Sequence, residues 1–365
     1  MNSLKIGVIG LKGLPAYGGA ATVGENIIYQ LKHKYIFTVY AVSSHTQPDM
    51  NCNAYKQIVF RRFFIKKLNI FFYYLKSAFH SIFMAKYDLI HLHHTDGAFI
   101  LPILRLKYKV VCTSHAQPQV NEKWPSWVKL FFSINEQITM KLSSTITAVS
   151  IPLTKTYQKN TKKKIHYIPN GINLKQEVDI KNLECSNYIL FAAGRIIPLK
   201  GLHILLHAMK KINLTKKLLV IGDLEQISSY KTEILKLSKD TNIVFIPIIR
   251  QKGILLNYVN RAIFFIFPSY SENMSIMLLE VAFVKTPLIC SDIEPNMAIF
   301  NYSEVLFFKT NDPNDLRDKI KYAEENPTIM KEKALRAYNK VKTYYNWESI
   351  SKQYDNLFYQ TVQTD

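Results

Sequence analysis

Short, continuous apolar runs alternate with longer stretches of helical period along nearly the whole chain. In order they read LKIGVIG, FTVYAV, YDLIHLHH, YKVVCTSH, STITAVS and KIHYIP, then YILFAAG, KLLVIG, NIVFIP, AIFFIFPS, TPLICSD and EVLFF. Runs that are apolar on both faces, each followed by a helix, predict parallel strands covered on both sides, an α/β protein. The series restarts after IPNGINLKQEVDIKNLECSN, a polar stretch around residues 170–187. That restart predicts two Rossmann-like halves, residues 1–176 and 177–345. Residues 346–365 are expected to form a closing helix that packs back on the first half.

A length of 365 residues exceeds one ordinary core, which agrees with two domains. With 48% hydrophobic and 20% charged residues the composition is globular. The four cysteines, Cys52, Cys112, Cys185 and Cys290, contain no C-x-x-C spacing, so neither a disulfide framework nor a zinc site is expected. No apolar span reaches the ~18 residues of a membrane-crossing helix. MNSLKIGVIG reads as a first strand rather than a leader, and a reduced, cytoplasmic setting is expected.

Charge changes the picture. The formal net charge is +20, and residues 1–176 hold 23 Lys+Arg against 6 Asp+Glu, or +17. Residues 177–365 hold 24 against 21, or +3. The first half is therefore suited to an anionic partner, nucleic acid or an anionic membrane.

In open parallel sheets, ligands bind where loops leave the carboxyl ends of strands. The suggestive residues fall at such places. GLKGLPAYGG follows the first strand with Gly10, Gly13, Gly18 and Gly19, a loop that can bring backbone N–H groups to phosphate or simply turn tightly. It matches neither G-x-G-x-x-G nor a Walker loop. GRIIPLKG offers Arg195 and Lys200 before a helix, a guanidinium fork and a point charge suited to a diphosphate. His115 follows YKVVCTS.

SENMSIMLLE places Glu272 and Glu280 eight positions apart. Read as one helix, they lie broadly on one side and about 12 Å apart along its axis. That is too far for an acid/base dyad but suits two ends of one long ligand, with carboxylates accepting from sugar diols. In HLHH, His91 and His93 alternate on one strand face beside His94 and Asp96, without metal-ligand spacing. No D-x-D occurs, so metal independence is expected, with no cofactor beyond a co-substrate.

R-x(4)-K-G followed by P-S-x-x-E-x(7)-E resembles the retaining nucleotide-sugar glycosyltransferases of family 4, which have the GT-B fold. LPAYGG, T-S-H at 113–115, EKWPSWVKLFF, AVS at 148–150, IPNGI at 168–172, LICSDIEPN and YNW follow in family order along the whole chain. YGG and the K-W after the histidine resemble the branch that includes bacterial rhamnosyltransferases of surface polysaccharide assembly. The resemblance implies two Rossmann-like domains facing across a cleft. It also implies that Arg195 and Lys200 bind the donor diphosphate, with Gly18 and Gly19 approaching it from the other domain. Glu280 would bind the ribose and Glu272 the transferred sugar; Asn273, Met274 and Ser275 would lie along the donor, and His115 beside the reacting sugar. The family often has E-G-x-G where this chain has Glu272-Asn273-Met274-Ser275, and glycine where Lys285 stands.

Residues 61–86 carry Leu68, Phe71, Phe72, Leu75, Phe79, Ile82 and Phe83 at helical spacing beside Lys66, Lys67, Lys76 and Lys86. Such a stripe is core by default, yet its aromatics and lysines also suit a membrane interface, as do Trp124 and Trp127. The expected activity is transfer of a hexosyl or deoxyhexosyl group, with retention, from a nucleotide sugar to a lipid-linked glycan. It would act in capsule or lipopolysaccharide synthesis, peripherally on the inner face of the cytoplasmic membrane. A nucleotide-sugar epimerase of the same fold is disfavoured by the T-S-H and E-x(7)-E motifs. A nucleic-acid partner is not expected, because nothing but charge suggests one.

Overall fold

The computed structural model describes residues 3–16, 18–46, 52–120, 124–175, 187–212, 216–239 and 241–363. Tyr17, Cys185, the side chain of Lys67 and the expected 176/177 boundary lie outside the described residues. The chain forms two units, Met1–Asn170 with Trp347–Asp365, and Gly171–Asn346.

The first unit is built on seven strands: β1 Leu4–Ile9, β2 Tyr35–Val42, β3 Lys56–Phe60, β4 Leu89–His93, β5 Val110–Ser114, β6 Thr145–Ala148 and β7 Ile165–Tyr167. They are parallel in the order β3-β2-β1-β4-β5-β6-β7. Every residue of β4 and β5 is buried, as continuous apolar runs demand of a sheet covered on both faces. Strand β3 was not among the expected runs. It is an edge strand whose KQIVF is nowhere fully buried, so no apolar run marks it.

The helix Asn69–Phe83 inverts the expectation from its apolar stripe. Its buried positions are Asn69, Tyr73, Tyr74, Ser77, Ala78 and Ser81, while Phe71, Phe79 and Phe83 are exposed. The inward polar groups are satisfied. Tyr73 Oη donates to the Tyr40 carbonyl at 2.9 Å, Tyr74 Oη to Asp96 at 3.0 Å, and the Ser77 and Ser81 hydroxyls to carbonyls one turn back. Hydroxyl-bearing aromatics can occupy a core when their oxygens find partners, which frees the phenylalanines to face outward.

The helix Trp347–Gln363 belongs to this first unit. It buries Ile350, Tyr354, Leu357 and Phe358, and Asp355 accepts from Tyr35 Oη and pairs with Lys34, each at 2.5 Å.

The second unit holds β8 Tyr188–Arg195, β9 Lys217–Asp223, β10 Ile243–Ile246, β11 Phe264–Phe267, β12 Leu288–Ser291 and β13 Leu306–Phe308. All pair in parallel, in the order β10-β9-β8-β11-β12-β13. In each sheet the winding reverses beside its first strand, at β1/β4 and at β8/β11. Loops diverge at such a switch point, leaving a crevice at the carboxyl ends of the strands.

Candidate donor-binding site

In the second unit, the loops after β8 and β11 are locked together at the switch point. Gly201 has φ +71°, and a Cβ there would stand 2.1 Å from the Pro268 carbonyl oxygen, so only glycine lets the two loops meet. Tyr270 N–H donates to the Leu199 carbonyl at 3.1 Å. The Ser269 carbonyl accepts from the Ser291 hydroxyl, whose residue is held in turn by Asn296.

Those loops carry the expected cations and carboxylates. Arg195 ends β8 after a bulge between Ala193 and Arg195, and its side chain is exposed without an ion pair among the described residues. Lys200 Nζ lies 2.5 Å from Glu272 Oε1, so the sheet brings these two site residues into direct contact. Gly201 also precedes the helix Leu202–Lys210, which has no side-chain cap from its N-cap residue; the Tyr230 hydroxyl instead accepts from the His203 N–H at 3.3 Å.

The two glutamates do not share a helix face as the spacing predicted. The helix is Ile276–Phe283, with Ser275 as its N-cap, so Glu272 sits on the loop before it and only Glu280 is helical. The axial arithmetic for one helix therefore does not apply. Residues 273–275 adopt no left-handed backbone, so Asn273, Met274 and Ser275 fit where the family often has glycines. Lys285 does have a left-handed φ of 59°, at the position where the family often places glycine.

Glu280 is buried and meets a residue the sequence reading missed. Lys252, the first residue of the helix Lys252–Arg261, places Nζ 2.8 Å from Oε1 and 2.9 Å from Oε2. Burial pushes the Glu280 carboxyl above its usual range, and Lys252 opposes that rise. A lysine opening a helix works against the helix dipole, which is the one signal in the sequence that could have flagged it.

In the first unit, Gly10 has φ +106°, and a Cβ there would stand 2.0 Å from the His93 carbonyl oxygen. It lets the loop after β1 pass β4. Gly18 and Gly19 differ: Gly18 is extended, and a Cβ on either would meet nothing within 4 Å. They leave open space before the uncapped helix Gly19–Leu31 rather than relieving a turn. The structure thus places Gly18, Gly19 and His115 in the first unit and Arg195, Lys200, Glu272 and Glu280 in the second.

His115 belongs to a group of four imidazoles. Its Nε2 lies 3.0 Å from His93 Nδ1, their rings are stacked, and His94 lies 5.0 Å away between ring centres. His91 Nε2 meets the Thr113 hydroxyl at 2.8 Å. Burial depresses all four: His91 and His94 are pushed down to about 3, and His93 and His115 fall well below the ordinary value. Among the described residues no group of three or more His, Cys, Asp or Glu is arranged to hold a metal ion.

Residues 17–176 match the model of Glycosyltransferase Family 4, and residues 175–342 that of Glycosyl transferases group 1. Both models are of glycosyltransferases, and together they span residues 17–342 of this chain, which is a glycosyltransferase. It is 25% identical to an uncharacterized glycosyltransferase of Methanocaldococcus jannaschii, over 94% of this chain and 96% of that one. It is 25% identical to the capsular polysaccharide biosynthesis glycosyltransferase CapM of Staphylococcus aureus, over 51% of this chain and 50% of that one. In fold, this glycosyltransferase is similar to sucrose-phosphate synthase of Thermosynechococcus elongatus, with TM-score 0.83, 20% identity and 98% of each chain covered. It is also similar to HepE of Anabaena in complex with UDP-glucose, with TM-score 0.80, 15% identity and coverage of 98% and 100%. The fold of this glycosyltransferase is GT-B, with two parallel-sheet α/β domains.

Proposed function

We propose that this glycosyltransferase moves a hexosyl or deoxyhexosyl group, with retention and without a metal, from a nucleotide sugar to a lipid-linked glycan at an anionic membrane surface. Two Lys–Glu pairs at one switch point, with Arg195 in no ion pair among the described residues, carry the donor half of this reading. A nucleotide sugar offers two phosphates to cations and two diols to carboxylates, and this site holds both kinds of partner. Arg195 and Lys200 take the diphosphate, Glu280 the ribose and Glu272 the sugar, with residues 273–275 along the donor. HepE, with the same fold, is known in complex with UDP-glucose. The absence of any D-x-D pair supports neutralisation by side chains rather than by a chelated metal.

The outward phenylalanines support the acceptor half. Phe64, Phe79, Phe83 and Met84 are exposed, as are Trp127, Leu130 and Ile134 on the helix Ser126–Leu142. Phe71 stacks on Phe99 at 4.8 Å between ring centres, and Phe99 neighbours Phe131 at 6.0 Å, so both helices contribute to one aromatic surface. Arg61, Arg62, Lys66 and Lys76 are exposed near it in sequence. Aromatics with cations around them suit an interface of anionic lipid. No helix of the described residues is long and apolar enough to cross a membrane. CapM, a relative, is a capsular polysaccharide enzyme by name, which fits a surface glycan as acceptor.

Titration calorimetry with a panel of nucleotide sugars tests the donor assignment. One nucleotide sugar should bind, and Arg195→Ala should weaken both it and its nucleoside diphosphate by about 1.5–3 kcal/mol. No binding across the panel, or an unchanged affinity in the folded variant, overturns it.

A further inference from the structure

We propose that His93 is a positioning residue that sets the tautomer of His115, so that His115 presents an N–H donor, through Nδ1, to whatever occupies the site. The inference deepens the reading of His115 as a sugar neighbour, but its first measurement does not depend on that reading.

Only one hydrogen can lie on the line between His93 Nδ1 and His115 Nε2, which are 3.0 Å apart. Either His93 donates or His115 donates. His93 Nε2, on the far side of that ring, is buried and has no hydrogen-bond partner. If His115 donated, a neutral His93 would have to carry its proton on Nε2, stranding a buried N–H. If His93 donates through Nδ1, its Nε2 is a bare lone pair and no donor is stranded. Structures leave buried N–H groups unpaired less often than acceptors, so the second arrangement is favoured. A neutral imidazole has one proton, and with Nε2 accepting, His115 must carry its own on Nδ1.

Both rings being neutral is a condition of the count. Burial drives both well below the ordinary imidazole value, and the neighbouring imidazoles add to the effect at each ring. The geometry holds them rigidly. His93 ends β4, His115 follows β5, and these strands pair in parallel through His93 and Thr113. The rings stack at 11° with centres 5.3 Å apart. His91 packs behind His93 at 4.0 Å between ring centres, and its Nε2 is held by the Thr113 hydroxyl. Among the described residues His115 Nδ1 has no partner, so its hydrogen is available to a ligand oxygen.

A neutral donor suits sugar transfer. The reacting carbon gains positive charge in an oxocarbenium-like transition state, which an imidazolium would oppose. A neutral N–H can hold a sugar hydroxyl in place without that repulsion. The consequence for specificity is that His115 should select an acceptor atom at its contact, a hydroxyl or ether oxygen.

The experiment is long-range proton–nitrogen NMR on the full chain labelled with 15N-histidine, without ligand, using His115→Gln to assign the His115 signals. His115 should show a protonated Nδ1 and a bare Nε2, and His93 the same pattern. In His93→Leu, which removes the donor, His115 should shift toward the Nε2-protonated form. Wild-type His115 with its proton on Nε2 overturns the proposal, as does an unchanged His115 pattern in a folded His93→Leu chain. If that variant does not fold, the wild-type spectrum alone decides. In a transfer assay His93→Leu should lower kcat at least tenfold while nucleoside diphosphate affinity stays within about twofold. An unchanged kcat with the expected spectra would leave the tautomer standing and remove His115 from the sugar site.

Discussion

The pair between Lys252 and Glu280 makes a prediction that depends on which partner is removed. The Glu280 side chain is 8% exposed and that of Lys252 40%. Lys252→Met strands a buried carboxylate, whereas Glu280→Gln leaves a lysine that water already reaches. Breaking a fully buried pair costs about 3–5 kcal/mol, and the partial exposure of Lys252 lowers this to about 2 kcal/mol. The reverse change should cost about 1 kcal/mol or less, as for a surface pair.

The sign with pH follows from the carboxyl. Burial raises the folded-state pKa of Glu280 and Lys252 pulls it down, so removing Lys252 lets it rise further. An acid with a raised folded pKa penalises the native state where it must be ionised, and the penalty fades as pH falls toward the ordinary carboxylate value of about 4.3. Urea denaturation at about pH 8 and about pH 5 reads this directly. Lys252→Met should lose more stability than Glu280→Gln at the higher pH, and the gap should narrow at the lower. The double variant should resemble Glu280→Gln alone. A Lys252→Met cost no larger than that of Glu280→Gln, or one indifferent to pH, refutes the claim that burial of Glu280 dominates the pair.

Gly201→Ala should lower stability by more than about 2 kcal/mol, because the added Cβ meets the Pro268 carbonyl in a left-handed backbone; thermal melting checks it, with Gly18→Ala as a control that meets nothing and should leave the melting point unchanged. His91, neutral when folded and titrating near 3, should cost about 1.4 kcal/mol of stability at one pH unit below the ordinary imidazole value of about 6.5, because only the unfolded chain then takes up the proton. That cost is absent above about pH 6.5 and grows as pH falls toward the folded value, and His91→Leu should remove it from denaturation curves. Replacing Arg61, Arg62, Lys66 and Lys76 with Gln should reduce co-sedimentation with anionic vesicles at low salt while nucleotide binding persists; wild type that stays in the supernatant refutes membrane docking.

Much of this architecture was legible because each sheet is covered on both faces, so its strands read as unbroken apolar runs. Twelve of the strands were marked this way, and β3 was not, because an edge strand needs no such run. The candidate loops were legible for a topological reason: in parallel sheets, the residues after each strand gather at one end. Side-chain direction was not. The stripe Phe71, Phe79 and Phe83 has helical period, but Tyr73, Tyr74, Ser77 and Ser81 won the core by finding hydrogen bonds that periodicity cannot register. The same limit hid Lys252, which lies 28 residues from Glu280 and joins it only through packing at the sheet end. It also hid His93, whose role depends on a partner across two adjacent strands. Glu272 was counted with the helix although it lies on the loop before it, because the stretch through Met274 and Ser275 is nearly as buried as the helix that follows.

Lys200 and Glu272 give the last prediction, which follows from their sharing one charge pair before any donor arrives. In the proposed roles, a diphosphate must draw Lys200 away from Glu272. A nucleoside diphosphate then leaves that largely buried carboxylate without its cation and offers nothing in return. A nucleotide sugar instead supplies hydroxyl donors to it, so the two halves of the donor are coupled through this lysine. Glu272→Gln removes the competitor for Lys200 and should strengthen binding of the free nucleoside diphosphate by up to about 1 kcal/mol, roughly fivefold. It should weaken the nucleotide sugar, by about 1.5–3 kcal/mol for the lost charge-assisted bonds less that gain. Calorimetry with both ligands on wild type and Glu272→Gln measures the difference. Equal losses for both ligands would mean that Glu272 acts on the diphosphate side alone, and the coupling through Lys200 would be wrong.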